Sequence, residues 1–163
     1  MKITIRPAVP ADTAFILSLI KELADFEKLS HEVVATEEGL REKLFGAGAV
    51  PEVLIAEADG AGVGFALFFS SFSTFLAKPG IYLEDLYVKP AFRSQSIGLK
   101  LLQAIAKIAV ARDCGRFEWS VLDWNERAIS FYHRLGAKPQ NEWTVQRLSG
   151  DALRALAERE EIG

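Results

Sequence analysis

Residues 82–98, Tyr-Leu-Glu-Asp-Leu-Tyr-Val-Lys-Pro-Ala-Phe-Arg-Ser-Gln-Ser-Ile-Gly, decide the fold. The first seven predict a strand, which Pro90 ends because proline has no N–H for a ladder. A polar loop follows, and from Gly98 apolar residues recur at helical spacing. A strand that leads through a loop into a helix directs unpaired backbone N–H groups at one point, which suits a phosphate. The stretch therefore predicts an enzyme-like anion site.

The composition limits the class of protein. The chain has 163 residues, half of them apolar, which predicts one domain over residues 1–163 with a real core. A net charge of -3 argues against nucleic-acid binding, and no apolar run is long enough for a bilayer. A single cysteine, Cys114, and no signal-peptide pattern favour the cytoplasm. The isolated His31 and His133 predict no metal site.

Periodicity and turn residues predict the other elements. Strands are expected at residues 2–6, 53–58, 63–72, 116–121 and 143–148, with a polar loop at 70–80. Helices are expected after Asp12 and over residues 36–45, 98–109, 126–135 and 151–160, with Thr36 and Ser149 as further caps. This order of elements predicts a mixed α/β or α+β domain.

Two carboxylates lie in the strand of residues 82–88. Strict alternation places Tyr82, Glu84, Leu86 and Val88 on one face and Leu83, Asp85 and Tyr87 on the other. A carboxylate in an apolar strand is costly unless it is paired or lies in a wet cleft. We interpret Asp85 as a salt-bridged structural acid. Glu84 is better explained by a site in which it binds or deprotonates an amine.

The loop of residues 93–98 offers a cation, two hydroxyls and a run of backbone N–H groups. It lacks the spacing of a Walker loop, so pyrophosphate binding without a metal is favoured over ATP chemistry. An ordinary strand-to-helix connection explains the loop equally well when it is taken alone.

A second segment, residues 123–132, also carries polar side chains at helical spacing. Asn125, Ala128 and Tyr132 share one stripe, so Asn125 and Tyr132 could reach one ligand across the small alanine. A capped helix with a core tyrosine is the structural alternative. No serine or cysteine has the partners of a nucleophile.

Together these segments resemble the GNAT superfamily of acetyl-CoA-dependent N-acetyltransferases. The loop is similar to the R/Q-x-x-G-x-G/A pyrophosphate signature, with Ser94 and Ser96 where the family usually has glycine. Residues 125–137 match the N-x-x-A-x-x-F-Y-x-x-x-G-A signature completely. Residues 21–30, 82–85 and 121–125 are most similar to the diamine acetyltransferases, in particular the thialysine N-epsilon-acetyltransferase branch.

The resemblance implies a strongly twisted mixed sheet of about seven strands, with helices on both faces and two splayed parallel strands, residues 82–88 and 116–121. Acetyl-CoA would enter that gap, and a homodimer is expected. The implied cofactor-binding residues are Leu86, Tyr87, Val88, Arg93, Ser94, Gln95, Ser96, Ile97, Gly98, Leu99, Asn125 and Ala128.

The resemblance also implies roles in catalysis. An alkyl ammonium has a pKa near ~10, so only on the order of one amine in a thousand is neutral at pH 7. Glu84 would remove the proton, through water; an N–H near Leu86 would stabilise the oxyanion, and Tyr132 would protonate the thiolate of CoA.

The implied acceptor pocket contains Phe26, Glu27 and Glu84. Trp119 and Glu142 are further candidates, for which plain packing is an equal alternative. Residues 70–75 lack the acid that polyamine enzymes carry, so a compact amine such as thialysine, lysine or a short diamine is expected. The alternatives are acetylation of protein lysines or N-termini, and a non-catalytic CoA-binding domain.

Overall fold

The structure is a computed structural model that describes residues 1–160. The chain forms two compact units, residues 1–122 and the segment from Asp123 onward. The first unit contains β1 (Ile3–Pro7), α1 (Thr13–Phe26), α2 (Glu37–Phe45), β2 (Glu52–Ala58), β3 (Ala61–Ser73), β4 (Lys78–Val88), α3 (Ile97–Ala111) and β5 (Arg116–Trp119). The second contains α4 (Glu126–Arg134) and α5 (Gly150–Ala157).

The sheet is mixed, as predicted. Its order is β1-β2-β3-β4-β5, and every neighbouring pair is antiparallel except β4 and β5, which are parallel. The described residues form five strands instead of about seven. The strand predicted over residues 143–148 is absent, since this segment has no regular secondary structure. Alternating side chains alone do not make a strand, which also needs a neighbour to complete its backbone hydrogen bonds.

The loop predicted at residues 70–80 is also wrong. β3 runs to Ser73 and β4 starts at Lys78, so a tight connection closes a long hairpin. Ser70 pairs with Ile81 and Ser71 with Gly80. The ladder thus holds serines that have little preference for strands by themselves.

The core lies against both faces of the sheet. Beneath α1 and α2 the buried cluster comprises Ile16, Leu19, Leu44, Val53, Ile55, Phe65, Leu67 and Tyr87. α3 packs against β1, β2, β3 and β4. Its buried residues are Ile97, Leu101, Leu102, Ile105 and Ala109. The packing of α3 fixes the loop that precedes it, and the packing of α1 fixes its C-terminal end beside β4.

The predicted helix caps had different outcomes. Thr36 caps α2, because its Oγ1 accepts a hydrogen bond from the Gly39 N–H at 3.1 Å. Asp12 and Ser149 stand at N-cap positions but make no capping bond. Asp12 instead forms an ion pair with Arg6 at 2.8 Å. Within residues 1–160, no helix has both the length and the apolar character that crossing a membrane requires.

Candidate active site

β4 and β5 part midway along β4. The two strands pair only from Gly80 opposite Arg116 to Leu83 opposite Trp119. β5 ends at Trp119, shorter than the predicted residues 116–121, whereas β4 continues to Val88. Peptide groups of residues 84–88 on this side therefore have no strand partner among the described residues. This is the opening that the expected splay requires.

A β-bulge lies where the two strands part. Leu67 pairs with Asp85 and Phe68 pairs with Leu83, so Glu84 is the extra residue on β4. Because Leu67 and Phe68 are adjacent and point to opposite faces, Asp85 and Leu83 also lie on opposite faces. This corrects the strict alternation predicted from the sequence, which placed Asp85 and Leu83 together.

The bulge directs Asp85 towards α1. Asp85 and Tyr87 follow the same face as their partners Leu67 and Phe65, which is the face that α1 and α2 cover. Tyr82 lies on this face too, with its ring 5.4 Å from that of its partner Phe69. The sequence prediction had placed Tyr82 with Leu86 and away from Asp85. A single inserted residue therefore changes which side chains share a face of the sheet.

Asp85 is the most perturbed acid of the site. Burial, together with the neighbouring charges of Glu84 and Glu27, raises the pKa of Asp85 to about 6. Asp85 forms no ion pair or hydrogen bond with the described residues, so its interpretation as a salt-bridged structural acid is wrong. A largely buried carboxylate beside two others would be stabilised by a cation. The sequence feature that indicates this acidic group is the pair of adjacent acids, Glu84 and Asp85, in one strand.

The C-terminal end of α1 supplies the other side of the cluster. Phe26 is the last residue of α1 and Glu27 follows it, half-buried, so that desolvation raises the pKa of Glu27. Glu22, one turn earlier, accepts hydrogen bonds from the Tyr87 hydroxyl at 3.3 Å and the Lys89 Nζ at 3.4 Å. We name Glu27, Glu84 and Asp85 the acidic cluster. Glu22 is not part of it, because its carboxylate already accepts these two hydrogen bonds.

The loop after β4 has the backbone of a glycine-rich loop although it contains serines. Ser94 and Ser96 have φ angles of 67° and 61°, in the left-handed region that costs roughly 1–2 kcal/mol for residues other than glycine. Ser96 is the N-cap residue of α3, and its side chain makes no capping bond. The first N–H groups of α3 are therefore available to an anion.

Arg93 does not extend away from the loop. Its Nε donates a hydrogen bond to the Val88 carbonyl oxygen at 3.0 Å. Its guanidinium carbon lies 5.4 Å from the ring centroids of both Phe26 and Tyr87. The side chain thus joins the loop to the end of α1.

The second unit carries the predicted stripe of α4. Asn125 caps this helix, because its Oδ1 accepts a hydrogen bond from the Ala128 N–H at 3.3 Å. Asn125, Ala128 and Tyr132 are all half-buried, and the Tyr132 ring is 5.6 Å from that of Phe131. Capping, the structural alternative for Asn125, is therefore real, and it leaves the amide nitrogen of this side chain as a donor.

The predicted pocket residues divide between the two units. Glu27 and Glu84 belong to the acidic cluster, Phe26 precedes Glu27 at the end of α1, and Trp119 ends β5 where the strands part. Trp119 packs edge-on against Phe117 at 5.0 Å, and the adjacent Ser120 shares a 2.7 Å hydrogen bond with the Tyr82 hydroxyl. Glu142 belongs to the second unit and is exposed. No group of His, Cys, Asp and Glu in residues 1–160 has a metal-binding arrangement.

Asp85→Asn is expected to stabilise the protein above pH 6. The raised pKa means that ionised Asp85 is penalised in the folded state, and this penalty develops as pH rises from about 4 to about 6. The rise of the Asp85 pKa from 3.8 to about 6 corresponds to about 3 kcal/mol of unfolding free energy at most. Because the side chain has some contact with solvent, we expect the variant to gain roughly 2 kcal/mol at pH 8. Urea denaturation at pH 8 should show it, and at pH 3.5 the gain should disappear. Asp123→Asn, at an exposed site, is the control; equal gains at both pH values would contradict the assignment.

Comparison with known proteins places this arrangement among acetyltransferases. A model of the Acetyltransferase (GNAT) family matches residues 19–137. Thialysine N-epsilon-acetyltransferase of Bos taurus is 42% identical, over 95% of this chain and 97% of that protein. L-ornithine N5-acetyltransferase of Arabidopsis thaliana is 36% identical, over 93% of this chain and 86% of that protein.

Solved structures agree on the fold. An integron cassette protein from the mobile metagenome of V. cholerae superposes with a TM-score of 0.82 at 25% identity, over 98% of this chain and 99% of that one. An aminoglycoside acetyltransferase from an uncultured soil metagenomic sample superposes with a TM-score of 0.71 at 20% identity, over 91% and 95% of the two chains. The second similarity concerns the fold alone.

Proposed function

The chain belongs to the GNAT acetyltransferase family, and on this premise we propose that it acetylates a primary amine of a compact small molecule. The expected GNAT fold is confirmed, and the protein is an acyltransferase of that family. The acceptor we propose is thialysine, a lysine-like amine or a short diamine. The observation that carries this choice is the acidic cluster of Glu27, Glu84 and Asp85 beside the open edge of β4.

Acetyl-CoA is the acetyl donor of GNAT acetyltransferases, and two features of this chain fit it. The open edge of β4 can pair with the amides of the pantetheine arm, and the uncapped start of α3 can bind a pyrophosphate. We assign cofactor contacts to Leu86, Tyr87, Val88, Arg93, Ser94, Gln95, Ser96, Ile97, Gly98 and Leu99, and from the second unit to Asn125 and Ala128. Bound acetyl-CoA supplies a thioester that an amine can attack directly.

Glu84 is the general base in this proposal. It is exposed on the bulge where the strands part, so a water molecule can relay the proton from the ammonium to its carboxylate. Asp85 and Glu27 hold the ammonium by charge before that transfer. Protonation of Asp85 below about pH 6 would remove one of these charges. We therefore expect binding of the amine to weaken in acid.

Tyr132 is the general acid in this proposal. The hydroxyl of a phenol has a pKa near ~10, and a thiol of about 8.5, so the proton transfer to a leaving thiolate is mildly uphill but feasible. The position rests on the match of Asn125, Ala128 and Tyr132 to the family signature and on their common half-buried stripe. The backbone N–H near Leu86, on the open part of β4, would stabilise negative charge on the carbonyl oxygen.

A panel of amines tests the function. Release of CoA thiol should be measured with thialysine, L-lysine, L-ornithine, putrescine, spermidine and a lysine-containing peptide. We expect the highest kcat/KM with a compact amine, at least tenfold above spermidine and the peptide. Preference for the peptide would favour protein acetylation, and absence of turnover with measurable CoA binding would indicate a binding domain. A homodimer, proposed from the resemblance, is tested separately by sedimentation, and a cytoplasmic location, proposed from the single cysteine, is tested by fractionation.

A further inference from the structure

Arg93 connects the cofactor loop with the amine side of the site. It is the first residue of the loop, yet its Nε bonds to the Val88 carbonyl at 3.0 Å, which turns the side chain back over the end of β4. The guanidinium carbon is 5.4 Å from the centroids of Phe26 and Tyr87, within the range of a cation–π contact to each ring. One side chain therefore contacts the strand, the loop and the end of α1.

The Tyr87 side chain has contacts besides the one with Arg93. It belongs to the buried cluster under α1, and its hydroxyl donates to Glu22 at 3.3 Å. Phe26, by contrast, is the last residue of its helix and is 43% exposed. The contact with the guanidinium adds a fixed neighbour to a ring at a helix end. Of the two rings, Phe26 is therefore the one whose position Arg93 affects more.

We propose that Arg93 is a positioning residue that holds Phe26, and with it the wall of the acceptor-amine pocket; this role replaces the cofactor contact that the family resemblance assigns to Arg93. This inference rests on the proposed function, which places Phe26 and Glu27 at the amine. Arg93 acts through packing: its Nε donates to the Val88 carbonyl while the guanidinium carbon lies within cation–π range of both rings. A lysine can provide the charge but not this combination.

The electrostatics agree with a role in packing. The carboxylates whose charges raise the pKa of Asp85 are Glu84 and Glu27, and Arg93 is not among the groups that change it. Removing the Arg93 charge should therefore leave the pKa of Asp85 as it is, while it acts on Tyr87, whose pKa the Arg93 charge lowers against the larger effects of burial and Glu22. The loop retains its backbone N–H groups for an anion, since those belong to Ser94 through Leu99.

The test is a double-mutant cycle between Arg93 and Phe26. Arg93→Met, Phe26→Leu and the double variant are compared with the parent, using acetyl-CoA and the best amine of the panel. We expect Arg93→Met to raise the KM of the amine about tenfold, with kcat and the Kd of CoA changing less than threefold. The double variant should be no worse than the more affected single variant, because both remove one contact. Arg93→Lys should recover only part of the loss.

The control and the opposing outcomes are distinct. Arg41→Met, which breaks an exposed pair with Glu37 at 2.8 Å, should change no kinetic constant. An Arg93→Met variant that weakens CoA binding while the KM of the amine stays constant would overturn the proposal, and so would additive effects in the cycle. If the parent acetylates no amine, the proposed function fails. The coupling of Arg93 and Phe26 is then measured by urea unfolding of the same four proteins, where additivity would overturn the inference.

Discussion

Tyr132→Phe is expected to lower kcat about 100-fold while the Kd of CoA stays within threefold of the parent value. General acid catalysis typically contributes between about 10² and 10⁴ in rate, and a thiolate leaves readily enough to place this enzyme near the lower limit. The ring remains, so its contact with Phe131 and the half-buried stripe of α4 are retained. Kinetics at saturating acetyl-CoA and calorimetry with CoA measure the two quantities separately.

Tyr82→Phe is the matched control for the loss of a phenolic hydroxyl. Tyr82 lies on β4, and its hydroxyl shares a hydrogen bond with Ser120 at 2.7 Å, so its loss should affect stability rather than chemistry. We expect its kcat to remain within threefold of the parent. If Tyr132→Phe behaves the same way, Tyr132 is not the acid. A parallel loss of kcat and CoA binding would instead assign Tyr132 to the cofactor pocket.

The elements that local chemistry specifies could be predicted from the sequence. Thr36 caps α2 as expected, and Gly136, with a φ of 95°, follows the end of α4 where a left-handed residue is needed. The strand–loop–helix of residues 82–98 is present. In each case the determining interaction lies within a few residues of the signal, so one segment contains all the necessary information.

The features that failed depend on a partner strand. The bulge at Glu84 is a property of how β4 pairs with β3, whose residues Leu67 and Phe68 lie opposite it but apart from it in the sequence. The orientation of Asp85 and its raised pKa both follow from that pairing. The strand expected at residues 143–148 is absent for a related reason. Its side chains alternate, but no strand among the described residues pairs with it. Period-two patterns indicate an extended chain, but the ladder decides faces and register.

The acidic site also illustrates why burial is hard to read from a sequence. Asp85 was expected to have a cationic partner because a buried carboxylate normally needs one. The structure instead surrounds it with two further acids, Glu27 and Glu84. Such an arrangement is costly to the folded state, and a ligand that carries positive charge removes the cost. A departure from the usual pairing rule is therefore evidence for a cationic acceptor, which is the basis of our proposed function.

Glu84→Gln is expected to lower kcat/KM about 100-fold at pH 7 and to change the shape of the pH profile. In the parent, kcat/KM should rise with pH to about 6, where Asp85 ionises, and then level off because a base serves the bound ammonium. Without that base only the neutral amine reacts. The neutral fraction grows tenfold per pH unit up to its pKa near ~10, so the rate of the variant should keep rising and the deficit should be greatest in acid.

Glu27→Gln separates holding the ammonium from removing its proton. This variant keeps the base, so its profile should still level off, while loss of one charge raises the KM of the amine. Because the Glu27 charge contributes to the raised pKa of Asp85, the acid limb should also move below pH 6. Glu57→Gln, which weakens a 3.2 Å ion pair with Arg6 elsewhere in the sheet, should leave both properties unchanged. A Glu84→Gln variant with the parent's plateau would show that another group, with Asp85 the first candidate, removes the proton.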